Sequence, residues 1–445
     1  MVLIRLIPLL VLLACERAPS RSTVALAETC MCPCACVTPD AAAEPDAPEP
    51  DAAPPPIDLA VPWTRHVITP GAPTGAYRGA DGVAEDVDHC WSTAWEEGGS
   101  VTRACFIDSS WQTELVATGL VGAEDAKAGD IDGDGAIDVV TASDGGSRVY
   151  VTFRGTPSIT ITLTASMGHG RVMQIALVDM NGDANLDIVM GTRVASPAVV
   201  AWLENPGPAN ARLSVWWTYH EISQAGWVMS LVPRDFNGDG RMDVLVSDRA
   251  KLADGTYGLY GSRWMEQLSD GTWMGHTIAG GSPKTPAVPY QTGQCSPYAL
   301  TTCERTPSDE MFAAVLGNDV YDCTSTGSQV DSRISIHHTE DWLSWTHTTL
   351  PPVANVGHCQ GVLPMDVDLD GDIDLVVTTW KGNAYPVTST ASGVYWLRAP
   401  NWERGEISGP EGAKFDNALA RGRCIVTSEQ LDPEGGFGVV EFCPP

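Results

Sequence analysis

One acidic nine-residue motif occurs four times in this chain, and it limits the possible folds more than any other feature. The copies are DIDGDGAID at 130–138, DMNGDANLD at 179–187, DFNGDGRMD at 235–243 and DVDLDGDID at 366–374. Each fits D-x-[DN]-x-D-[GA]-x-x-D and runs into an apolar, β-branched segment that predicts a strand. A turn and strand that recur in this way predict a chain built from several similar β units.

The spacing of the acidic side chains predicts four calcium sites. Hard cations such as Ca²⁺ take roughly six to eight oxygen ligands, and alternate positions of a tight loop aim short side chains at one centre. An EF-hand is disfavoured because its loop joins two helices and ends on a Glu at about position twelve. The predicted ligands are Asp130, Asp132, Asp134, Asp138, Asp179, Asn181, Asp183, Asp187, Asp235, Asn237, Asp239, Asp243, Asp366, Asp368, Asp370 and Asp374.

The charge of the chain excludes some classes of partner. The formal net charge is −30, and four Ca²⁺ ions would offset only eight of these charges. Nucleic acids and anionic membranes bind through cationic patches, so neither is an expected partner. A surface protein or a polysaccharide remains possible.

The N-terminus is predicted to be a targeting segment rather than part of the fold. Residues 1–14 have a short apolar run, and the LLAC sequence at 12–15 resembles the lipobox of bacterial lipoproteins. The resemblance implies cleavage before Cys15, lipidation of Cys15 and attachment to the cell envelope through this anchor alone. Glu16 favours the outer membrane over the inner one. An ordinary signal peptide, and therefore a secreted protein, is the alternative.

Residues 15–57 are predicted to be a disordered tether. Most of 37–56 is Pro, Ala, Asp or Glu, a composition too polar and too rich in proline to form a core. The tether contains CMCPCAC at 30–36, whose four thiols could bind a soft metal such as Cu(I) or zinc. Disulfides or cross-links between chains are favoured, because the spacing is not the C-x-x-C of structural zinc sites.

Two further repeats accompany the acidic loops across residues 58–445. A Gly-led apolar strand occurs seven times, and a W-x-x-x-x-[IVL] segment occurs six times, with 158–164 in the remaining place. Together with an inner strand and the strand after the loop, each unit has four antiparallel strands, which is typical of a propeller blade. The fold class is therefore predicted to be all-β, a seven-bladed β-propeller with about 55 residues per blade.

The first and last repeat segments complement each other. The Trp segment at 63–68 precedes any inner strand, and the last unit ends after its Gly-led strand. We therefore predict that 63–68 supplies the outermost strand of the last blade. Closing a propeller in this way removes exposed strand edges, so the chain is expected to be a monomer.

These repeats resemble the FG-GAP and VCBS repeats of bacterial surface propellers and of the integrin α-subunit head. The resemblance covers about 58–445 and is strongest at the four loops, whose acidic residues it implies to be calcium ligands. One loop departs from the pattern because Ala184 stands in the place of the sixth-position glycine. A strained turn is expected there.

Three of the predicted blades have lost the acidic loop, and each eroded loop contains a cysteine. We expect disulfides to replace calcium in these blades. Eight cysteines lie in the propeller, and other pairings remain open because eight cysteines allow about 105 connectivities. The favoured pairs are Cys90 with Cys105, Cys295 with Cys303, Cys323 with Cys359 and Cys424 with Cys443.

Candidate chemistry lies in the loops that enter the inner strands, at the predicted channel mouth. Their polar and aromatic residues are His169, His358, Asp81, Glu124, Asp125, Trp227, Lys414 and Asp416. Of these, His169, His358 and Asp125 are weak catalytic candidates, and no nucleophile or phosphate-loop motif occurs. Non-enzymatic binding or adhesion at the cell surface is the favoured function. A carbohydrate-active lyase or dehydratase and a structural scaffold are the alternatives.

Overall fold

A computed structural model gives the fold of part of the chain. It describes residues 57–58, 60–70, 80, 82–96, 98–248, 261–278, 310–325, 332–351, 358–380, 393–409, 414–430 and 438–445. The predicted signal peptide, Cys15, the cysteines at 30–36, Asp81 and the Cys295–Cys303 pair lie outside these residues. No helix in the described part is long and apolar enough to cross a membrane.

The described residues form β-strands with two short 3-10 helices, Thr164–Ser166 and Ser214–Trp216. The strands are β1 (Thr64–Thr69), β2 (Val83–Glu85), β3 (Trp91–Trp95), β4 (Ser100–Ile107), β5 (Ser110–Thr118), β6 (Ala123–Gly129), β7 (Asp138–Ser143), β8 (Arg148–Phe153), β9 (Ile159–Thr162), β10 (Arg171–Val178), β11 (Asp187–Glu204), β12 (Thr218–Arg234), β13 (Asp243–Asp248), β14 (Gly261–Gln267), β15 (Trp273–Thr277), β16 (Glu310–Leu316), β17 (Asp319–Ser325), β18 (Ser332–Thr339), β19 (Trp345–Thr349), β20 (His358–Met365), β21 (Asp374–Trp380), β22 (Val394–Arg398), β23 (Glu403–Glu406), β24 (Lys414–Arg421), β25 (Cys424–Gln430) and β26 (Gly438–Cys443).

The strands form antiparallel sheets in chain order, which confirms the predicted all-β class. Four-stranded sheets contain β2–β5, β6–β9, β16–β19 and β20–β23, and β10–β15 form a six-stranded sheet. The sixth sheet has the order β1-β26-β25-β24, so the first strand of the described chain pairs with the last. We name each sheet by its lowest-numbered strand, except that the sheet containing β1 is named the β24 sheet.

The six-stranded β10 sheet consists of two halves joined by long strands. β11 pairs with β10 through 187–193 and with β12 through 198–204. In the same way β12 pairs with β11 through 218–225 and with β13 through 228–234. Each half therefore contains four strand segments.

Burial follows the position of a strand within its sheet. The second strands β7 and β13 are buried at every residue, whereas the fourth strands β15 and β19 are exposed or half-buried. A continuous apolar, β-branched run such as DVVTAS is typical of a strand covered on both faces. Each sheet is therefore packed between neighbours and presents its fourth strand to solvent.

Seven apolar clusters of described residues join these sheets. Six of them lie between parts that follow each other along the chain: the β2 and β6 sheets, the β6 and β10 sheets, the two halves of the β10 sheet, the β10 and β16 sheets, the β16 and β20 sheets, and the β20 and β24 sheets. The seventh packs Val426 and Val439 of the β24 sheet against Trp91 and Trp95 of the β2 sheet. The two ends of the described chain therefore share a core.

Candidate metal centres

The four acidic loops occupy equivalent places in the fold. Each joins an inner strand to the second strand of its sheet or half-sheet: β6 to β7, β10 to β11, β12 to β13 and β20 to β21. In every loop the fifth-position backbone N–H donates to the first aspartate at 3.1 Å. The sixth-position N–H donates to the other oxygen of that aspartate at 2.8–3.0 Å. One hydrogen-bonded turn is thus built four times.

The ninth-position aspartates tie the loops to the sheets. Asp138 accepts the N–H of Ile131 at 3.1 Å and the N–H of Arg154, which follows the third strand, at 2.8 Å. The other three ninth-position aspartates make the same pair of bonds, and all four are fully buried. Burial, opposed by these bonds, raises the pKa of each of Asp138, Asp187, Asp243 and Asp374 to about 6.

The carboxylates of the two all-aspartate loops converge. Oxygens of Asp130, Asp132 and Asp138 lie within 4.8 Å of one another, as do oxygens of Asp366, Asp368 and Asp374. Asp368 Oδ1 is buried and has no hydrogen-bond partner in the described part of the chain. A buried carboxylate oxygen without a donor is costly unless a cation faces it. These oxygen-only donor sets fit a hard divalent cation such as Ca²⁺.

The sixth position of each loop adopts a left-handed backbone conformation. The φ angles of Gly135, Gly240 and Gly371 are 86°, 86° and 95°. Ala184 has a φ of 70°, a conformation that costs a residue with a Cβ about 1–2 kcal/mol. The strain expected from the sequence is therefore present in the loop at 179–187.

The shortened loop between β2 and β3 binds the guanidinium of Arg103, which lies on β4. Arg103 Nε donates to Asp86 Oδ2 at 2.6 Å, and its Nη2 donates to Asp88 Oδ2 at 2.9 Å. Only 7% of the Arg103 side chain is exposed, and Asp86 is buried. The guanidinium neutralises the two carboxylates of this loop.

The structure has three of the four predicted disulfides; the fourth lies outside the described residues. Cys90–Cys105 and Cys424–Cys443 each join neighbouring strands of one sheet, beside an eroded loop. Cys323–Cys359 joins β17 to β20 and therefore links two sheets. Each of the three blades predicted to lack an acidic loop contributes to one of these bonds.

The structure describes the side-chain surroundings of two of the three weak catalytic candidates and the backbone of the third. The His169 ring stacks on Tyr219 with 3.9 Å between ring centroids, and burial lowers its pKa. Asp125 is buried and links the inner strands β6 and β10, because it accepts a hydrogen bond from the N–H of Ile175 at 3.1 Å. It also accepts a hydrogen bond from the Lys127 ammonium at 2.6 Å. His358 begins β20, where its backbone pairs with Trp380.

A different polar cluster forms beside the inner strands, and the sequence indicated only part of it. Carboxylate oxygens of Glu96, Glu124 and Asp144 lie within 4.8 Å of one another. Burial, followed by the charge of Glu96, raises the pKa of Glu124 to about 8. Arg193 binds Asp144 through two bonds of 2.7 and 2.6 Å and lies over the Trp227 ring at 4.5 Å.

Sequence reasoning identified Glu124, Trp227 and Lys414 as mouth residues but missed Glu96, Asp144 and Arg193. Glu96 follows β3, Asp144 follows β7 and Arg193 lies within β11, so their proximity depends on how three sheets pack. No local motif marks such a cluster. Lys414 is paired with Asp416 at 2.8 Å and lies 5.7 Å from the Trp380 ring centroid.

Comparisons with known proteins agree with this architecture. Residues 130–190 match the family model of the FG-GAP-like repeat, and no curated protein matches the chain. The fold is similar to virginiamycin B lyase from Staphylococcus aureus, with 10% identity over 86% of this chain and 100% of that one and a TM-score of 0.52.

Two further solved structures are similar at the same level. A streptogramin B lyase is 8% identical over 86% of this chain and 98% of its own, with a TM-score of 0.50. YCF48 bound to D1 peptide is 8% identical over 88% of this chain and 99% of its own, also with a TM-score of 0.50. These neighbours are β-propellers. At such identities the similarity shows the fold alone.

Proposed function

The chain carries an FG-GAP-like repeat in a β-propeller fold, and from this premise we propose a calcium-stabilised, seven-bladed propeller that binds a protein or a glycan at the cell surface. The observation that carries the calcium part is the fourfold hydrogen-bonded turn with its buried ninth-position aspartate. The binding part rests on the charged and aromatic groups gathered beside the inner strands.

Seven blades and a closed ring follow if the two halves of the β10 sheet count as separate blades. In support, each apolar cluster packs a blade against the next, and the cluster containing Trp91 and Val439 joins the last blade to the first. Arg421 of β24 also lies over the Trp111 ring of β5 at 5.1 Å.

If β1 closes the ring, deleting 58–70 should unfold or oligomerise the protein. A soluble, monomeric and equally stable deletion variant would disprove closure by β1.

Calcium binding is tested by counting ions on the full chain. After dialysis against micromolar free Ca²⁺, atomic absorption should give four ions per molecule. Asp366→Asn removes one carboxylate from a converging site and should lower the count to three. Asp270→Asn is a matched control, because Asp270 is an exposed turn aspartate bonded to Thr272 rather than part of an acidic loop. Wild-type protein that holds no calcium would overturn the metal proposal.

Ligand binding is proposed for the surface that includes Arg193, Trp227, Lys414 and Trp380. Aromatic rings with cations over them suit carbohydrate or a polar protein surface. The full chain, loaded with calcium, would be screened against neutral and uronate-containing polysaccharides by surface plasmon resonance. Binding that Lys414→Ala and Trp380→Ala weaken, and that Glu406→Ala on β23 leaves intact, supports this surface. Binding insensitive to all three variants would place the ligand elsewhere.

A carbohydrate-active lyase or dehydratase is the second candidate. The observation that favours it is Glu124, a carboxyl whose raised pKa of about 8 lets it hold a proton near neutral pH beside two other carboxylates. The same polysaccharides would be incubated with the protein while ultraviolet absorbance reports new C=C bonds. A rise that Glu124→Gln abolishes would make the protein an eliminating enzyme. No rise and no binding would favour a scaffold in an envelope complex.

The proposed location is the bacterial cell envelope, through a lipid on Cys15. Metabolic labelling with a radioactive fatty acid should label the wild type and leave Cys15→Ser unlabelled. An unlabelled wild type recovered from the medium would indicate a secreted protein instead.

A further inference from the structure

The third position of the acidic loops is an amide in two loops and a carboxylate in the other two. In the amide loops, the side-chain oxygen of Asn181 accepts the N–H of Asp183 at 3.0 Å, and that of Asn237 accepts the N–H of Asp239 at 3.1 Å. The amide nitrogens donate to the fifth-position aspartates of their own loops and, from the side of the third strand, to Glu204 at 3.5 Å and Glu266 at 3.2 Å.

In the carboxylate loops, a guanidinium takes the place of the glutamate. Arg398 Nε contacts Asp368 Oδ2 at 2.8 Å, which leaves Asp368 Oδ1 buried without a partner. Arg212 Nε contacts Asp132 Oδ2, while Asp132 Oδ1 accepts the N–H of Asp134 at 3.3 Å. The second polar atom of the third-position side chain therefore has a partner in all four loops. That partner is an acceptor where the atom is an amide nitrogen and a donor where the atom is a carboxylate oxygen.

The residues that make these contacts occupy one structural position in three of the four loops. Glu204, Glu266 and Arg398 each precede the residue whose backbone N–H binds the ninth-position aspartate. In the loop at 130–138 that position is Phe153, and Arg212 reaches the loop from across the Phe153 ring, 5.3 Å from its centroid. Where the third loop residue is Asn, this position is a glutamate. In the loop at 366–374, where the third residue is Asp, this position is an arginine.

In the two amide loops, a histidine contacts the glutamate. In the loop at 366–374, where Arg398 takes the place of the glutamate, a glycine takes the place of this histidine. His220 Nε2 lies 2.8 Å from Glu204 and stacks on Trp202, and His276 Nε2 lies 2.7 Å from Glu266 and stacks on Trp264. The cross-strand partner of the equivalent Trp396 is Gly405, where an added Cβ would overlap the indole. The glutamates are thus supported from behind by a second pair of side chains.

An amide needs such an orienting partner more than a carboxylate does. Only the oxygen of an asparagine can ligate a hard cation, because its NH₂ group is a donor. A carboxylate presents an oxygen in either orientation. An acceptor on the outer side of the loop holds the nitrogen outward and leaves the oxygen facing inward.

We propose that Glu204 and Glu266 are positioning residues that orient Asn181 and Asn237 for cation binding. This inference rests on the proposed calcium function of the loops. Interactions of this kind, which orient a metal ligand without touching the metal, commonly change metal affinity by roughly 10–100-fold. His220 and His276 would serve by keeping the glutamates in place.

The test is calcium titration of the full chain by isothermal calorimetry, with a matched set of variants. In Glu204→Leu/Glu266→Leu, two of four ions should bind roughly 10–100-fold more weakly and two should be unaffected. Glu204→Gln/Glu266→Gln keeps an acceptor oxygen and should retain most of the affinity. Glu406→Leu, which removes a carboxylate paired with Arg404 away from the loops, should change nothing.

A suppressor separates orientation from a merely structural role. Replacing Asn181 by Asp in the Glu204→Leu background restores an oxygen at both ends, so the affinity of that site should recover.

The inference is overturned if the Leu variants keep four unchanged sites, or if Asn181→Asp fails to restore binding. Wild-type protein that binds no calcium overturns the proposed function itself, and this inference with it. If the melting temperature in excess calcium shows that the Leu variants do not fold, Glu204→Ala/Glu266→Ala and the same suppressor in the Glu204→Ala background replace them, with the same outcomes.

Discussion

The loop at 130–138 and the shortened loop after β2 place carboxylates at the same point in their sheets but neutralise them differently. Asp130, Asp132 and Asp138 converge in a loop whose contacting cation, Arg212, is 40% exposed, and we propose that this loop binds an ion from solution. Asp86 and Asp88 instead bind the buried guanidinium of Arg103, and the Cys90–Cys105 disulfide lies beside them.

The difference shows how one repeat can depend on calcium while its neighbour does not. A divalent ion stabilises the folded state only in proportion to its concentration relative to the dissociation constant. A guanidinium and a disulfide belong to the chain and act at any calcium concentration. We therefore expect the acidic loops to make stability sensitive to calcium and the shortened loop to hold its sheet together without it.

The largest single-residue effect is expected at Arg103. Arg103→Leu leaves the buried Asp86 without its counter-charge and should destabilise the protein by about 3–5 kcal/mol in EDTA. The matched variant is Arg404→Leu, because Arg404 and its partner Glu406 are each 31% exposed and their ion pair should contribute only about 0–1 kcal/mol. Urea unfolding followed by tryptophan fluorescence measures both. Equal effects of the two substitutions would show that Arg103 stabilises its loop no more than an exposed ion pair does.

The disulfide beside Arg103 should come next. Replacing Cys90 and Cys105 by serine opens a bond between residues 15 apart, which is expected to lower stability by about 3 kcal/mol. The loss should be the same with EDTA and with excess calcium, because the acidic loops lie in other sheets. A loss that calcium abolishes would show that this region is not independent of the ion.

Acidification should weaken calcium stabilisation at the acidic loops. Burial raises the pKa of the ninth-position aspartates to about 6, so the metal-free folded state holds their protons more tightly than the unfolded chain does. Metal-free stability from these groups therefore falls as pH rises from about 4 to about 6, whereas calcium requires the ionised form. Each pH unit below about 6 should reduce calcium stabilisation by about 1.4 kcal/mol per site.

This pH dependence is measured as the difference in melting temperature between excess calcium and EDTA. The difference should be largest at pH 7.5 and should shrink at pH 5. A difference that stays constant across this window would separate the ninth-position aspartates from calcium binding.

The smallest effect is expected at Ala184. Ala184→Gly removes a Cβ from a left-handed residue and should stabilise the protein by about 1 kcal/mol, whereas Gly240→Ala should destabilise it by a similar amount. Thermal unfolding in excess calcium provides the comparison. Destabilisation by Ala184→Gly would show that the loop at 179–187 is not strained by its alanine.

The repeated local features were predictable from the sequence because they depend on short-range chemistry. The acidic loops, the apolar strands that follow them and the left-handed sixth position all arise within about fifteen residues. The pairs Cys90–Cys105 and Cys424–Cys443 were accessible for a similar reason, because each joins neighbouring strands. The pairing of β1 with β26 was inferred from complementary ends of the repeat and is present in the structure.

The features that the sequence missed depend on packing between sheets. Arg193 meets Asp144 only because β11 lies against the turn after β7, and Glu96 approaches from a third sheet. The contact between Glu204 and Asn181 was hidden because the two residues lie 23 positions apart in the sequence. The His169 ring packs on Tyr219, an arrangement that no motif indicated.

The central claim is that the acidic loops hold calcium, and thermal unfolding of the full chain in EDTA and in excess Ca²⁺ tests it most directly. Calcium at about a hundredfold over the dissociation constant should add about 2.7 kcal/mol of stability for each occupied site. We predict a lower melting temperature in EDTA that excess calcium fully restores. Superimposable unfolding curves under the two conditions would contradict the account.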